Sequence, residues 1–442
     1  MKVKQFEYKP LSHYSYAVIS NGEMAIIDPE RNPMQYYAIA RANNAKIIAV
    51  IETHPHADFV SSHLQIHNET GAIIYNSEKL GAEYPYTPFD EGHNIKIGNA
   101  TLSAINTPGH SPDSITIVAT QGDETVLFTG DTLFIGDVGR PDLREKAGNI
   151  KAKRQKLAEA MYDTIQHKFT ELPDNAVVYP AHGAGSLCGK SLSEANSSTL
   201  GNERMGNWAF KKQTQDQFVE KLLDSQPFIP SYFGFNVDVN KSGAANLRTA
   251  IAAVPFMMNT SVDGLIIDVR NEIEFKKGSL KGSINIPATS EDSRFETWLG
   301  AIVEPNEKFS LVIDNPEDLD HILNRVAKIG YENHLQAVVT LPEGNLIKLP
   351  QIDINDFRNN PKKYTILDVR NESEVEEEKF FENALSHPLN ELRKTANEIP
   401  TDKPIVVHCA GGYRSAVGSS ILAKELKATQ VFDLGEQINE FK

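Results

Sequence analysis

The sequence has 442 residues, too many for one ordinary hydrophobic core, and this length predicts roughly two to four domains. The 40% hydrophobic and 23% charged content is typical of a globular protein, and the net charge of -15 argues against binding to nucleic acid or anionic membranes. No apolar run approaches the roughly 20 residues of a membrane span, and the first residues lack the apolar core of a signal peptide, so we expect a cytoplasmic protein. With only two cysteines, we expect no disulfide framework.

The first part of the chain alternates between strand-like and helix-like segments. Apolar runs at 47–51 and 126–128, each bounded by polar turns, predict buried strands. Residues 151–170 predict a helix because their apolar side chains recur on one face, and a second helix is predicted within 213–223. This alternation indicates an α/β domain.

Histidine and aspartate side chains follow the predicted strands of this region. They are His54, His56, Asp58, His110, Asp131 and His182. Strand ends are rigid, and the loops that leave them can converge on one point. Because imidazole nitrogens and carboxylate oxygens are common metal ligands, the pattern predicts a metal site.

The segment from His54 to Phe59 resembles the H-x-H-x-D-H signature of the metallo-β-lactamase superfamily, with Phe59 at the place of the last histidine. A phenyl ring cannot bind a metal ion. The full signature feeds two metal ions, which together activate water for hydrolysis. The substitution therefore favours a single ion with open positions, and two histidines with one carboxylate suit non-haem Fe(II) and O2 chemistry.

A connector and an internal repeat follow this region. The segment Pro227-Phe228-Ile229-Pro230 and the Gly-, Asn- and Ser-rich stretch 234–245 predict a connector, and we place a domain boundary near residue 245. The segment around Asp268 then recurs around Asp368, each time followed by Val-Arg-Asn-Glu and later by a strand and a long helix. The repeat predicts two similar α/β domains, at 246–345 and 346–442.

A cysteine lies between a predicted strand and a predicted helix of the second copy. It opens the segment Cys409-Ala410-Gly411-Gly412-Tyr413-Arg414. The two glycines let the backbone turn its amides inward, the helix presents its positive end, and the arginine adds a cation. These features stabilise a thiolate, the nucleophilic form of cysteine, and an inert cysteine is the alternative. The first copy has no cysteine, which predicts a structural or docking domain. Because its corresponding loop, 314–317, is acidic, a binding site for a cation is the alternative.

The cysteine segment resembles the active loop of rhodanese sulfurtransferases, in which cysteine and arginine enclose four residues. The resemblance implies that Cys409 and Arg414 are catalytic. It implies that the intervening residues bind substrate, namely Ala410, Gly411, Gly412 and Tyr413.

Residues 1–245 resemble the persulfide dioxygenase branch of the metallo-β-lactamase superfamily. The resemblance rests on the segments 53–59, 107–111, 130–134, 136–143 and 181–185. It implies that His54, His110 and Asp131 bind one Fe(II) per chain. It implies that three further residues orient these ligands or bound water, namely His56, Asp58 and His182. Arg140 becomes a candidate anchor for a substrate carboxylate, and Cys188 a candidate contact for the substrate's sulfur, with a structural role as the alternative for each.

The whole chain resembles a fusion of a persulfide dioxygenase with two rhodanese-like domains. The expected fold is α/β, a metallo-β-lactamase αββα sandwich followed by two rhodanese-like α/β domains. The resemblance implies that a low-molecular-weight persulfide is oxidised by O2 to sulfite at the iron. Sulfur from a second persulfide then passes through Cys409 to sulfite, giving thiosulfate, in a sulfide-detoxifying reaction. The persulfide, O2 and sulfite are the expected partners, with no nucleic acid and no membrane, and a homo-oligomer is a further expectation.

Two alternatives remain open on the sequence. The first is a zinc thioester hydrolase of the glyoxalase II type with sulfurtransferase domains attached, since the ligand geometry also suits zinc, which is redox-silent. The second is a sulfur carrier or sensor in which Cys409 passes sulfur to a partner protein and the metal domain is structural. Metal content separates the first alternative from the dioxygenase, and oxygen consumption separates the second.

Overall fold

The computed structural model describes residues 1–143 and 154–442. The described chain divides into two compact units. Unit 1 comprises Met1–Ala250 with Ala327–Gly330, and unit 2 comprises Ile251–Val326 with Tyr331–Lys442. Among the described residues, no helix combines the length and the apolar character that crossing a membrane requires.

Unit 1 begins with a sheet of six strands in sequential order. They are β1 (Lys2–Tyr8), β2 (His13–Ser20), β3 (Glu23–Ile27), β4 (Lys46–Ile51), β5 (Ile73–Asn76) and β6 (Thr87–Pro88). The first three strands pair antiparallel, and the pairs from β3 onward are parallel. The connection from β3 to β4 contains α1 (Met34–Ala42), and the connection from β4 to β5 contains α2 (His63–Thr70). All eight residues of β2 are buried because both faces of the sheet are covered.

A second sheet of unit 1 packs against the first. Its strands are β7 (Asn94–Ile97), β8 (Ala100–Asn106), β9 (Ile115–Gln121), β10 (Glu124–Gly130), β11 (Val177–Pro180) and β12 (Ser198–Thr199). The β10–β11 pair is parallel, and the connection contains α3 (Arg154–His167). The facing sides form one apolar core, with Val18 and Ile27 of the first sheet packed among Leu102, Ile117 and Phe128 of the second.

Helices cover the outer faces of both sheets. Tyr36 of α1 and Ile66 of α2 pack on the first sheet, and α3 packs on the second. The predicted helix in 151–170 is confirmed within the described residues, and its apolar face is buried through Leu157, Met161 and Ile165. These layers form the expected αββα sandwich.

Four further helices follow the second sheet. They are α4 (Leu200–Gly206), α5 (Gln215–Leu223), α6 (Tyr232–Ser242) and α7 (Leu247–Ala252). The helix predicted within 213–223 is confirmed as α5, which starts at a capping box formed by Thr214 and Gln217. The connector predicted at 234–245 is wrong over most of its length, because α6 occupies it. Buried aromatic side chains and buried asparagines hold α6 in place despite its polar composition.

Unit 2 contains two sheets that are parallel throughout. The first has the order β13 (Phe256–Met257), β17 (Leu335–Thr340), β16 (Phe309–Ile313), β14 (Leu265–Asp268) and β15 (Ile284–Asn285). Its helices are α8 (Glu272–Lys277), α9 (Phe295–Ile302) and α10 (Leu319–Lys328). The second has the order β19 (Leu385–Ser386), β18 (Thr365–Asp368), β20 (Ile405–His408) and β21 (Val431–Asp433). Its helices are α11 (Ile354–Asn359), α12 (Glu372–Glu377), α13 (Leu392–Thr395) and α14 (Tyr413–Glu425).

The predicted repeat is visible in the structure. β14 and β18 each lie next to an edge strand of their sheet, and each ends at the aspartate of the repeated motif. Arg270 folds back on Asp268, and Arg370 folds back on Asp368, with a guanidinium–carboxylate distance of 2.7 Å in both copies. The fold class of the sequence analysis is therefore confirmed, an αββα sandwich followed by two parallel-sheet α/β domains.

Candidate metal centre and cysteine loop

The loop after β4 carries the first candidate ligands and is anchored by a buried aspartate. Asp28 follows β3 with a φ of 50°, and its carboxylate accepts hydrogen bonds from the Thr53 amide at 2.7 Å and the Thr53 hydroxyl at 2.9 Å. From the other side, the Asn240 side chain of α6 donates to the carbonyls of His56 and Phe59, both at 2.8 Å. Parallel neighbours β3 and β4 bring Asp28 and Thr53 to the same sheet edge, so the fold fixes this loop.

His54, His110 and Asp131 converge in the interior. The loop after β4, the loop between β8 and β9, and the end of β10 each supply one side chain. Each histidine Nε2 lies 3.6 Å from Asp131 Oδ2. All three residues are at most 3% exposed. The structure thus brings the three predicted iron ligands together.

Hydrogen bonds fix which nitrogen of each histidine faces the cluster. The Thr53 hydroxyl donates its proton to Asp28, so at 3.0 Å it accepts from His54 Nδ1–H. The Arg140 carbonyl accepts from His110 Nδ1–H at 2.9 Å, because a carbonyl cannot donate. Both Nε2 atoms therefore present a lone pair inward. Burial lowers the pKa of His110 to about 3, which favours this neutral form.

The donor set fits a metal ion. His54 Nε2 and Asp131 Oδ2 are buried without a hydrogen-bond partner among the described residues, a costly arrangement that a bound cation would relieve. Metal–nitrogen and metal–oxygen bonds of about 2.1 Å allow two ligands of one ion to lie up to about 4.2 Å apart. The observed separations of 3.6 Å meet that limit.

His56, Asp58 and His182 form a second buried group beside the first. His182 bridges two carboxylates, with Nδ1 2.7 Å from Asp131 Oδ1 and Nε2 2.9 Å from Asp58 Oδ2. His56 Nε2 lies 3.2 Å from Asp28 Oδ1. Burial alone would lower the pKa of His182, but Asp131 and Asp58 together raise it well above its ordinary value. The hydrogen bond to His182 leaves Asp131 Oδ2 facing the histidine pair.

Phe59 occupies the space beside this second group. Its side chain is fully buried, with ring centroids 4.4 Å from His56 and 3.9 Å from His13. The His13 ring also lies 5.6 Å from His182, and its Nε2 has no hydrogen-bond partner among the described residues. The antiparallel bridge between His13 and His182 brings His13 to the site, and no local sequence pattern marks this histidine as part of the cluster.

Arg140 and Cys188 lie around the same centre. The Arg140 guanidinium is buried and pairs with both Asp142 oxygens, at 2.6 and 2.7 Å, and with the Leu187 carbonyl at 3.1 Å. Its predicted contact with a substrate carboxylate stays a prediction. The Cys188 thiol is buried within 4.8 Å of ligand atoms of Asp131 and His182. Burial raises the pKa of Cys188 well above its ordinary value, and Asp131 adds to the effect.

The second candidate site lies in unit 2 at the end of β20. The buried Cys409 Sγ accepts a hydrogen bond from the Gly412 amide at 3.1 Å. Gly412 has a φ of 106°, in the region that favours glycine, and α14 begins at the next residue. The backbone therefore directs an amide and a helix N-terminus at the sulfur, as the sequence predicts.

Neighbouring side chains fix the orientation of this loop. Glu374 of α12 receives two hydrogen bonds from Arg414, at 2.5 and 2.8 Å, so the cation is held in one position. The Tyr413 hydroxyl donates to the Pro287 carbonyl of the first copy at 2.9 Å. The Ala410 carbonyl accepts from the Lys442 ammonium at 2.6 Å. In the first copy the corresponding loop carries the exposed side chains of Asp314 and Glu317 and no thiol.

Comparison with known proteins agrees with this architecture. Residues 8–182 match the family model of the metallo-beta-lactamase superfamily, and residues 256–338 and 353–442 match that of the rhodanese-like domain. A solved metallo-beta-lactamase from Staphylococcus aureus subsp. aureus COL is 30% identical with a TM-score of 0.66, and the match covers 77% of this chain and 99% of that one.

Curated relatives include persulfide dioxygenases and hydroxyacylglutathione hydrolases. The persulfide dioxygenase ETHE1 of Bos taurus is 29% identical over 174 residues, which is 39% of this chain and 63% of that protein. A hydroxyacylglutathione hydrolase of Dictyostelium discoideum is 30% identical over 230 residues, which is 50% of this chain and 77% of that protein. The match to the dioxygenase thus spans less than two thirds of that relative. This chain belongs to the metallo-β-lactamase superfamily through its N-terminal αββα domain, and rhodanese-like domains follow that domain.

Proposed function

We propose that this chain oxidises a low-molecular-weight persulfide with O2 to sulfite at a single Fe(II) and transfers persulfide sulfur through Cys409 to sulfite. The observation that carries the proposal is the packing of Phe59. Its fully buried ring packs against both His13 and His56, at the position where the signature of the superfamily has a metal-binding histidine. The first ligand group, in contrast, keeps two imidazole nitrogens and one carboxylate oxygen facing one another.

In this proposal, His54, His110 and Asp131 hold the metal ion. Two nitrogens and one carboxylate suit Fe(II), which when bound supplies redox chemistry and open positions for sulfur and O2. Thr53 and the Arg140 carbonyl keep both histidines in the ligand tautomer, and His182 orients Asp131. Cys188, a buried neutral thiol beside Asp131, contacts the sulfur end of the persulfide. The overall reaction converts RSS⁻, O2 and H2O into sulfite, RSH and a proton.

At the second site, the Cys409 thiolate attacks the outer sulfur of a persulfide. The S–S bond of the donor breaks, its thiolate leaves, and Cys409 carries the transferred sulfur as a persulfide. Sulfite then attacks that outer sulfur, thiosulfate leaves, and the electron pair returns to Cys409. The Gly412 amide stabilises the anionic sulfur, and Arg414, held by Glu374, attracts the sulfite anion.

The zinc thioester hydrolase remains the second candidate. Hydroxyacylglutathione hydrolases are as similar to this chain as the persulfide dioxygenases are. The group of His56, Asp58 and His182 could also hold a metal ion. A sulfur carrier without oxidation is the third candidate, and it needs only the Cys409 loop.

Metal analysis of anaerobically purified protein tests the proposal, followed by O2 electrode measurements with glutathione persulfide. We expect one iron per chain, and one O2 consumed for each sulfite formed. Two zinc ions per chain with hydrolysis of a glutathione thioester would instead establish the hydrolase. Sulfur loading of Cys409 without O2 consumption by the iron-bound protein would establish the carrier.

A further inference from the structure

A cavity of about 530 Å³ lies within unit 2 between the cysteine-lacking copy and α14. Its walls are formed by residues 279–283, by Ile347 and Leu349 of the connecting segment, and by the C-terminal half of α14 with Lys427 just beyond it. The volume falls in the range of about 300–1,000 Å³ that is typical of small-molecule sites. Lys424 lies eleven residues after the start of α14, about 16 Å along the helix, so this cavity is distinct from the Cys409 loop.

The cavity is cationic in an acidic protein. Lys281, Lys424 and Lys427 line it, and no carboxylate does, although the chain has a net charge of -15. Among the described residues, no carboxylate lies within ion-pair distance of these three ammonium groups. Burial lowers the pKa of Lys424 and Arg393 adds to the effect, whereas the carboxylates of Glu425 and Glu307, which do not line the cavity, oppose it. The lysines come from both copies of the repeat, so the positive charge converges from two sides.

The wall beside the lysines is apolar and rigid. Phe275, Leu280, Ile347 and Leu349 line it. Ile347 exposes 38% of its surface, a large fraction for an isoleucine. Two backbone hydrogen bonds, at 3.0 and 2.9 Å, pair Ser279 with Ile347 and fix the wall. A ligand that fits this cavity therefore combines negative charge with an apolar body.

We propose that this cavity binds an organic phosphate of nucleotide size. The phosphate groups contact the three lysines, whose ammonium groups are common phosphate ligands, and the apolar body packs on Ile347 and Leu280. This assignment gives the cysteine-lacking copy a binding role that sulfur transfer does not require. It is independent of the proposed oxidation and transfer reactions, and a binding measurement can test it alone.

Calorimetric titration of the full chain with magnesium-free ADP tests the proposal. We expect one ADP per chain, and at least tenfold weaker binding in Lys281→Glu/Lys427→Glu, two exposed positions where charge reversal leaves the core intact. The matched control is Lys362→Glu/Lys403→Glu, which changes the net charge equally at exposed lysines outside the cavity. Absence of saturable ADP binding, or equal effects of the two double variants, would overturn the proposal.

Inorganic pyrophosphate tests the contribution of the apolar wall. It offers the same charge without the body, so we expect it to bind at least tenfold more weakly than ADP. Ile347→Ser should weaken ADP binding and leave pyrophosphate binding unchanged. Equal affinities for the two probes, or equal effects of Ile347→Ser on both, would show that the site does not recognise an organic body.

Discussion

Thr53 links the metal ligand His54 to the buried Asp28, and Thr53→Val should weaken metal binding without removing a ligand. Valine has nearly the shape of threonine but no hydroxyl. The substitution removes the hydrogen bond to Asp28 at 2.9 Å and the bond from His54 Nδ1 at 3.0 Å. The imidazole of His54 is then free to rotate or to change its tautomer.

The expected effects follow from these two contacts. Each buried polar atom left without a partner costs about 1–3 kcal/mol, so the loss of both contacts in Thr53→Val should lower the free energy of unfolding by about 2–6 kcal/mol. Loss of a hydrogen bond that orients a metal-ligating histidine typically costs 10- to 100-fold in metal affinity. We therefore expect metal affinity to fall by about 10- to 100-fold.

Anaerobic competition with a chromophoric chelator measures this affinity, and urea denaturation measures the stability. Thr53→Ser is the matched control, because it keeps the hydroxyl and loses only a methyl group. It should retain metal affinity within a fewfold of the natural protein. If Thr53→Val binds metal as tightly as Thr53→Ser, the proposed control of the His54 tautomer is refuted.

Further predictions concern the two sites and one buried histidine. Asp131→Ala should lose iron and O2 uptake but keep sulfur transfer, and retained O2 uptake would contradict the ligand assignment. Cys409→Ser should release sulfite in place of thiosulfate at an unchanged rate of O2 uptake, and unchanged thiosulfate output would exclude Cys409 as the transfer residue. Burial lowers the pKa of His408 from 6.5 to about 4. The unfolded chain therefore takes up this proton first, and stability should fall by up to about 3 kcal/mol as pH drops through this range. Urea denaturation at several pH values measures this dependence, which should become weaker in His408→Gln. If stability depends on pH equally in His408→Gln and the natural protein, His408 is not its cause.

Local sequence patterns were sufficient to predict the layers of the fold. Strand-like runs, amphipathic helices and the repeated Asp-Val-Arg segment depend on neighbouring residues, so they are readable in one dimension. The candidate ligands were predictable for the same reason, because each directly follows a strand. The connector predicted at 234–245 was wrong, because local composition did not reveal the contacts that form a helix there. Its glycines and asparagines indicate a loop by composition, but α6 is stabilised by burial of Tyr232 and by the hydrogen bond from Asn240 to the loop after β4.

The sequence by itself determined that a histidine is replaced by Phe59, that Cys409 precedes a glycine turn and a helix, and that the first copy of the repeat has no thiol. Only the tertiary structure decided that His13 packs on Phe59, that Arg140 donates to the Leu187 carbonyl, and that lysines from both copies line one cavity. The physical reason is distance along the chain. Residue type and local spacing set which chemistry each segment can offer, whereas contacts between remote segments arise only when sheets pack and bury them together.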